Sequence, residues 1–293
     1  AIKAKGLRSR RSDLLSHRAD LSRHLSQARL IKSRQEIDIM KEAGRISAQG
    51  HIAGMQACEP GMTEDQLASV VEHQFRMDGS PSIAYQTIVG GGDNACILHY
   101  IDRTDRLRSG DLVLIDAGCE VLGYAGDITR TFPVNGSFTN AQAELYDLVL
   151  NAQSEAIAQM VVGKSIKLFH EAAVRRLTEG LIELNIIEGP LELALEDKRY
   201  LPYYMHGTGH FLGLDVHDVG AYEHEGQPVE LAEGMVITCE PGLYISQSSD
   251  APARYRGIGI RIEDDVLITG RGPEVLTAKV PKERAEIEAL MRG

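Results

Sequence analysis

Residues 112–134 read LVLIDAGCEVLGYAGDITRTFPV. An apolar run ends on Asp116, small residues follow, and a second strand-like run begins after Gly123. The pattern predicts a hairpin with its turn near Leu122-Gly123. A two-residue loop at 122–123 sets Asp127 opposite Gly118 and makes Asp116 its diagonal neighbour on the same face. A loop at 121–122 would put the two aspartates directly opposite, and a three-residue loop would send them to opposite faces. In either two-residue register the carboxylates lie a few ångströms apart. An unpaired ionised carboxylate after LVLI would be costly, so Asp116 needs a partner, whereas Glu120 suits a solvated acid near the turn.

A second stretch, GIGIRIEDD (257–265), alternates strictly. As a strand it puts Ile258, Ile260 and Ile262 on one face and Gly257, Gly259, Arg261 and Glu263 on the other. Glycine inside a strand weakens it unless something approaches the backbone closely. The Arg261/Glu263 face is therefore expected to be the floor of a site, with the glycines clearing the cavity. Asp264 is expected on the opposite face and Asp265 beyond the site.

Two further runs complete the set. YYMHGTGHFLGLDVHD (203–218) carries His206, His210 and His217. The glycines between the first two argue against a helical HExxH zinc site. In an extended segment those two share a face, and a bend near Gly213 is needed to bring His217 back to it. EGMVITCEPGLYI (233–245) is an apolar strand ending on Glu240, with Cys239 pointing the other way. Four converging carboxylates, Asp116, Asp127, Glu240 and Glu263, would repel by roughly 4 kcal/mol for each pair about 4 Å apart. Protons or cations must neutralise them. Oxygen-rich ligation with one imidazole suits Mn²⁺, Co²⁺, Fe²⁺ or Zn²⁺ better than a thiolate zinc site, and two such ions sharing carboxylates perform hydrolysis.

The totals bound the alternatives. The chain has 293 residues, 43% hydrophobic and 25% charged, which is ordinary for a globular protein. No apolar run approaches the ~20 residues of a membrane span. A net charge of −11 disfavours nucleic acid or an anionic membrane as the main partner. Cys58, Cys96, Cys119 and Cys239 lack CxxC spacing and suit free thiols in a reducing compartment, hence a cytoplasmic protein. Residues 1–30 are basic, with eight Lys/Arg against Asp13 and Asp20. That composition resembles a transit peptide, but Leu14, Leu21 and Leu25 on one helical side favour a connecting helix.

Capping boxes at Ser33–Glu36 and Thr63–Gln66 predict helices to about Ala57 and Gly79. Strand candidates follow at 84–90, 96–101, 111–119 and 125–134. Thr139–Gln142 and Ser165 then open helices to about Val162 and Leu184, with a shorter one near 191–199. Strand candidates return at 203–206, 210–217, 234–240 and 258–268. Two helices then strands, twice over, suggests duplicated α+β halves.

These residues in this order resemble the pita-bread metallopeptidases. IVGGGDNACILHY, GDLVLIDAGCEVLGYAGDITRTFPVNG, LGLDVHDVG, EPGLYI and YRGIGIRIEDD look like bacterial aminopeptidase P (Xaa-Pro aminopeptidase) over essentially all of 31–293. The resemblance implies an α+β pita-bread fold of two pseudo-symmetric halves, each of helices packed on a curved antiparallel sheet. It implies removal of the N-terminal residue from peptides with proline second, through a water bridging two metal ions, usually Mn²⁺. The implied ligands are Asp116, Asp127, His210, Glu240 and Glu263, with Asp127 and Glu263 engaging both ions and Glu240 handling protons. His99, His206 and His217 match substrate-side histidines, and Arg261 an arginine that holds Asp127 or a neighbouring carboxylate. Residues 1–30 would be a basic connector left from an absent N-terminal domain, and homo-oligomers fall within the family's range. Thr208, Gly209 and Phe211 stand where close bacterial members carry other residues and prolidases can look alike, so prolidase is the nearest rival. Methionine aminopeptidase, a creatinase-type enzyme, a metal-free binding module and a catalytically silent truncated form are more distant ones.

Overall fold

The computed structural model describes residues 21–293. Most of the basic segment, Leu14 included, lies outside the described residues. Its end forms helix α1 (Ser22–Leu30), with Leu21 and Leu25 exposed. The first two capping boxes are both formed, starting α2 (Arg34–Ala57) at Ser33 and α3 (Glu64–Met77) at Thr63. In each, the hydroxyl and the Glu or Gln three residues on satisfy each other's backbone N–H groups, as the sequence predicts.

Strands β1 (Ser82–Ile83), β2 (Ile88–Gly91), β3 (Leu112–Asp116), β4 (Cys119–Val121), β5 (Tyr124–Ala125) and β6 (Thr129–Pro133) follow. The expected strand at 96–101 is absent. A 3-10 turn at Gly92–Cys96 leads instead into an irregular segment. The hairpin has its predicted register: Val121 pairs with Tyr124, and Asp116 with Thr129. Leu122 and Gly123 both sit at positive φ, 51° and 87°, the requirement of the tight turn whose twist matches the flanking strands.

The second half repeats the plan. Helices α4 (Asn140–Gln159), α5 (Lys167–Glu183) and α6 (Leu191–Glu196) precede β7 (Glu223–His224), β8 (Gln227–Pro228), β9 (Val236–Cys239), β10 (Gly242–Ile245), β11 (Ile258–Arg261), β12 (Asp264–Thr269) and β13 (Gly272–Val275). Helix α7 (Arg284–Arg292) closes the described chain. Thr139 caps α4 with a full box, and Ser165 opens α5 as expected, its hydroxyl accepting the Lys167 N–H at 3.3 Å ahead of a helix that runs to Glu183. The strands expected at 203–206 and 210–217 are missing too; an isolated bridge from Phe211 to Ile237, the His210 N–H on the Thr238 hydroxyl and the Glu240 N–H on the Thr208 carbonyl tie that glycine-rich run to β9 and its end.

Antiparallel sheets β2-β3-β6 and β13-β12-β9 occupy corresponding places in the two halves. Helix α2 packs on α3 and α4 on α5, and one apolar core runs from α2 and α3 through β3 to α4 and β11. Fully buried Arg130 stitches the halves. Its guanidinium donates to the Glu263 carbonyl and to Asp264 Oδ1 at 2.6 Å, and Lys282 reaches the same carboxylate at 2.8 Å. Asp264 thus faces away from the site, as the alternation predicts.

Candidate active site

Each candidate carboxylate stands at or just beyond the end of a paired strand. Asp116 ends β3, Asp127 precedes β6, Glu240 follows β9 and Glu263 precedes β12. The corresponding strands of the two halves therefore aim their ends at one place. Backbone contacts fix the join: the Glu263 N–H donates to the Thr129 carbonyl at 3.0 Å, and the Thr129 hydroxyl donates to Glu263 Oε2 at 2.6 Å.

A cleft of about 970 Å³ lies over this floor. All four carboxylates, His99, His206, His210, His217 and Arg261 line it, so every sequence-derived site residue converges there. The bend expected near Gly213 exists, and it stacks His217 edge-on against His210 with ring centres 4.3 Å apart. The ligand-capable atoms of Asp127, His210 and Glu263 all lie within 4.8 Å of one another.

The histidines divide by their partners. His210 Nδ1–H donates to the Phe211 carbonyl at 3.0 Å, so its Nε2 faces Asp127 Oδ2 at 3.4 Å and Glu240 Oε1 at 3.6 Å. Both ring nitrogens of His206 are engaged inside the protein. The Gly207 carbonyl can only accept, so His206 Nδ1–H donates to it at 2.7 Å, and in the neutral ring Nε2 accepts from the Tyr244 hydroxyl at 2.7 Å, itself an acceptor from Arg261. Burial, with the nearby Arg261 charge, lowers the His206 pKa to about 4, which agrees with a neutral ring. His99 and His217 are exposed in the cleft and have no hydrogen-bond partner among the described residues.

Arg261 holds Asp116, not Asp127, through Nη2, and its Nε donates to Thr129 at 3.1 Å. Asp265 is nearer than expected: its Oδ2 accepts the Asp127 backbone N–H at 3.2 Å. The two glycines ahead of Arg261 do not clear the cleft. A Cβ on Gly259 would overlap the Ala95 carbonyl, so that glycine admits the backbone of the 3-10 turn. Tyr85 escaped the sequence reading, because nothing in AYQTIVG marks it. Its hydroxyl lies 2.6 Å from Asp116 Oδ1 and 2.5 Å from Asp127 Oδ1, and a single proton cannot serve both.

Burial and mutual repulsion disfavour the ionised forms of the crowded carboxylates. Burial raises the pKa of Asp116, against the pull of Arg261 and with a push from Asp127. Burial also raises Glu240, to about 7, although His210 and Arg261 oppose it. Glu263 is held well above the usual range by burial and by the charges of Asp127, Glu240 and Asp116. For His210, burial favours the neutral ring, but the Asp127 hydrogen bond and the charges of Asp127 and Glu240 outweigh it and raise the pKa to about 9. A set of four carboxylates and one imidazole with its Nε2 turned among them, faced by a single guanidinium, fits divalent cations with oxygen and nitrogen preference.

Fold and cleft together define a pita-bread protein with a carboxylate-rich catalytic-type site. The chain belongs to metallopeptidase family M24, whose sequence model matches residues 38–270, and that family's chemistry uses divalent metal ions. It is 52% identical over 267 residues to the Xaa-Pro aminopeptidase of Haemophilus influenzae, covering 91% of this chain and 62% of that protein. It is 49% identical over 265 residues to the Xaa-Pro aminopeptidase of Escherichia coli, covering 90% of this chain and 60% of that protein. The fold superposes on proline aminopeptidase P II from Yersinia pestis with a TM-score of 0.92 and 51% identity, covering 94% of this chain and 63% of that one. The chain thus spans about three-fifths of the length of the relatives it matches.

Proposed function

We propose that this chain is the catalytic part of an Xaa-Pro aminopeptidase, hydrolysing the bond between an N-terminal residue and a following proline. The observation that carries the reading is the convergence of Asp116, Asp127, Glu240, Glu263 and His210 Nε2 on one cleft floor. These five would hold two divalent ions, Mn²⁺ first and Co²⁺, Fe²⁺ or Zn²⁺ as alternatives. When bound, the ions supply an activated water and polarise the scissile carbonyl.

The chain's own groups do the rest. Glu240, half-buried just beyond β9 and facing His210 Nε2 at 3.6 Å, would take a proton at its carboxylate and return it to the leaving proline nitrogen. His99 and His217, both with uncommitted ring nitrogens, would bind the peptide backbone and donate to the oxygen of the tetrahedral intermediate. His206, engaged on both nitrogens, orients Tyr244 and lines the wall. Arg261 favours the ionised form of Asp116 against its burial and aims it by a charge-assisted bond.

The cleft favours peptides over the dipeptides of a prolidase. Arg261 is the only Lys or Arg that lines it among the described residues, and Asp116 occupies that guanidinium. A dipeptide would have to place its C-terminal carboxylate in the cleft, where no Lys or Arg side chain is free to pair with it, whereas a longer peptide carries that charge outside. The volume also lies near the top of the roughly 300–1,000 Å³ range of ligand sites. Cytoplasmic operation on peptides is supported by four free thiols, and residues 1–30 would connect to a further domain in a homo-oligomer.

The test is cleavage by the metal-stripped chain reloaded with Mn²⁺, offered an Xaa-Pro-Pro tripeptide beside an Xaa-Pro dipeptide. Preferred, metal-dependent release of the tripeptide's first residue is expected. Dipeptide-only cleavage would make the chain a prolidase, and cleavage of neither would remove the activity from this chain.

A further inference from the structure

The cleft wall that carries His99, with Leu98 and Ile101 beside it, belongs to the segment 92–105. Apart from the 3-10 turn at its start, this segment has no helix or strand. His99 sits at φ 55° and Arg103 at φ 51°. Side chains disfavour this left-handed region, so a histidine stays there only where its surroundings hold it. His99 itself has no hydrogen bond among the described residues, so the hold must come through its neighbours.

Glu64, the first residue of α3, is completely buried. It has no ion-pair partner among the described residues, yet both its oxygens are fully used. Oε1 accepts the Gly91 N–H and Asn94 Nδ2, each at 2.9 Å. Oε2 accepts the Tyr100 hydroxyl at 2.9 Å and the Asp105 N–H at 3.0 Å. The four donors come from the residue before the segment, from the turn, from the residue next to His99 and from the segment's last residue. A buried carboxylate without a cation is expensive, and an apolar side chain would fill the same space. Only a carboxylate accepts four bonds while presenting no donor of its own.

We propose that Glu64 is a positioning residue for His99: it clasps both ends and the middle of the segment 91–105 and, through Tyr100, holds His99 in its left-handed conformation at the cleft. The role in turnover rests on the proposed aminopeptidase reading; the clasp itself does not.

The experiment uses Glu64→Gln in the full chain, which keeps the volume but turns an N–H₂ group toward two of the donors. Hydrogen exchange read by mass spectrometry should quicken within 91–105 and stay unchanged in α4 and β9–β12. Unchanged exchange, or a rise spread evenly over the chain, overturns the clasp. A double-mutant cycle on kcat/KM with the Xaa-Pro-Pro tripeptide reads the link to His99. Each of Glu64→Gln and His99→Ala should lose about 10- to 100-fold, and the double variant no more than His99→Ala alone. Losses that multiply would make Glu64 a support of the fold only and overturn the proposal. If Glu64→Gln does not fold, Tyr100→Phe, which deletes one hydroxyl, carries both measurements with a smaller effect. Absence of turnover in the unaltered chain would strike the aminopeptidase reading alone, because the exchange result stands without it.

Discussion

At the scale of single residues, His51 shows how a site is braced from behind. It is wholly buried on α2, and its Nε2–H donates to the Ala117 carbonyl at 2.9 Å, one residue past Asp116. Burial lowers its pKa from 6.5 to about 4. The folded value lies below the unfolded one, so the neutral ring's contribution to stability is complete above pH 6.5 and is lost as pH falls toward 4. The difference amounts to about 3 kcal/mol. Urea unfolding at pH 7 and pH 4.5 should therefore show His51→Gln losing less stability over that interval than the unaltered protein. Equal losses would mean that His51 is not the group responsible. A periodicity reading puts His51 on a helix face but cannot tell that this face is sealed by β3 and β4.

Among the elements, local rules fared according to how local they are. The hairpin at 122–123 needed only neighbouring residues, and its register came out as predicted, placing Asp116 and Asp127 on one face. The run 203–218 has alternating glycines and apolar residues that look extended, yet it folds as irregular chain because its backbone is held by β9 and by Tyr222. The segment 96–101 fails as a strand for the same kind of reason: the Glu64 carboxylate and the backbone of β11 determine its course. The join of the halves rests on Arg130, whose charge meets Asp264 with both side chains fully buried. Arg130→Met would leave Lys282 as the one cation on Asp264, beside hydrogen bonds from Gln153 and Thr277, and should cost about 3–5 kcal/mol, read as a lower urea midpoint. A midpoint within error of the unaltered protein would remove this pair from the account of how the halves adhere.

For the whole molecule, the charge balance of the cleft has a thermodynamic consequence. Four carboxylates face one guanidinium, so bound divalent ions would relieve repulsion only in the folded state. Stripping with a chelator should lower Tm by several degrees, and Mn²⁺ at about a hundred times its Kd should restore about 3 kcal/mol. A Tm indifferent to chelation and reloading would argue that the cleft holds no ions of consequence.

The sequence by itself determined the helix starts at Ser33, Thr63 and Thr139, the hairpin register, and the residue types of the site, because capping, turn chemistry and alternation act over a few residues. It also carried enough motif to show the likeness to the pita-bread metallopeptidases. Which carboxylate Arg261 holds, the bridging place of Tyr85, the engagement of both His206 nitrogens, the seat of Asp265 behind Asp127 and the Glu64 clasp were decided by tertiary structure alone. Each joins groups far apart in the chain, and such pairings exist only once the two halves have packed and removed the intervening water.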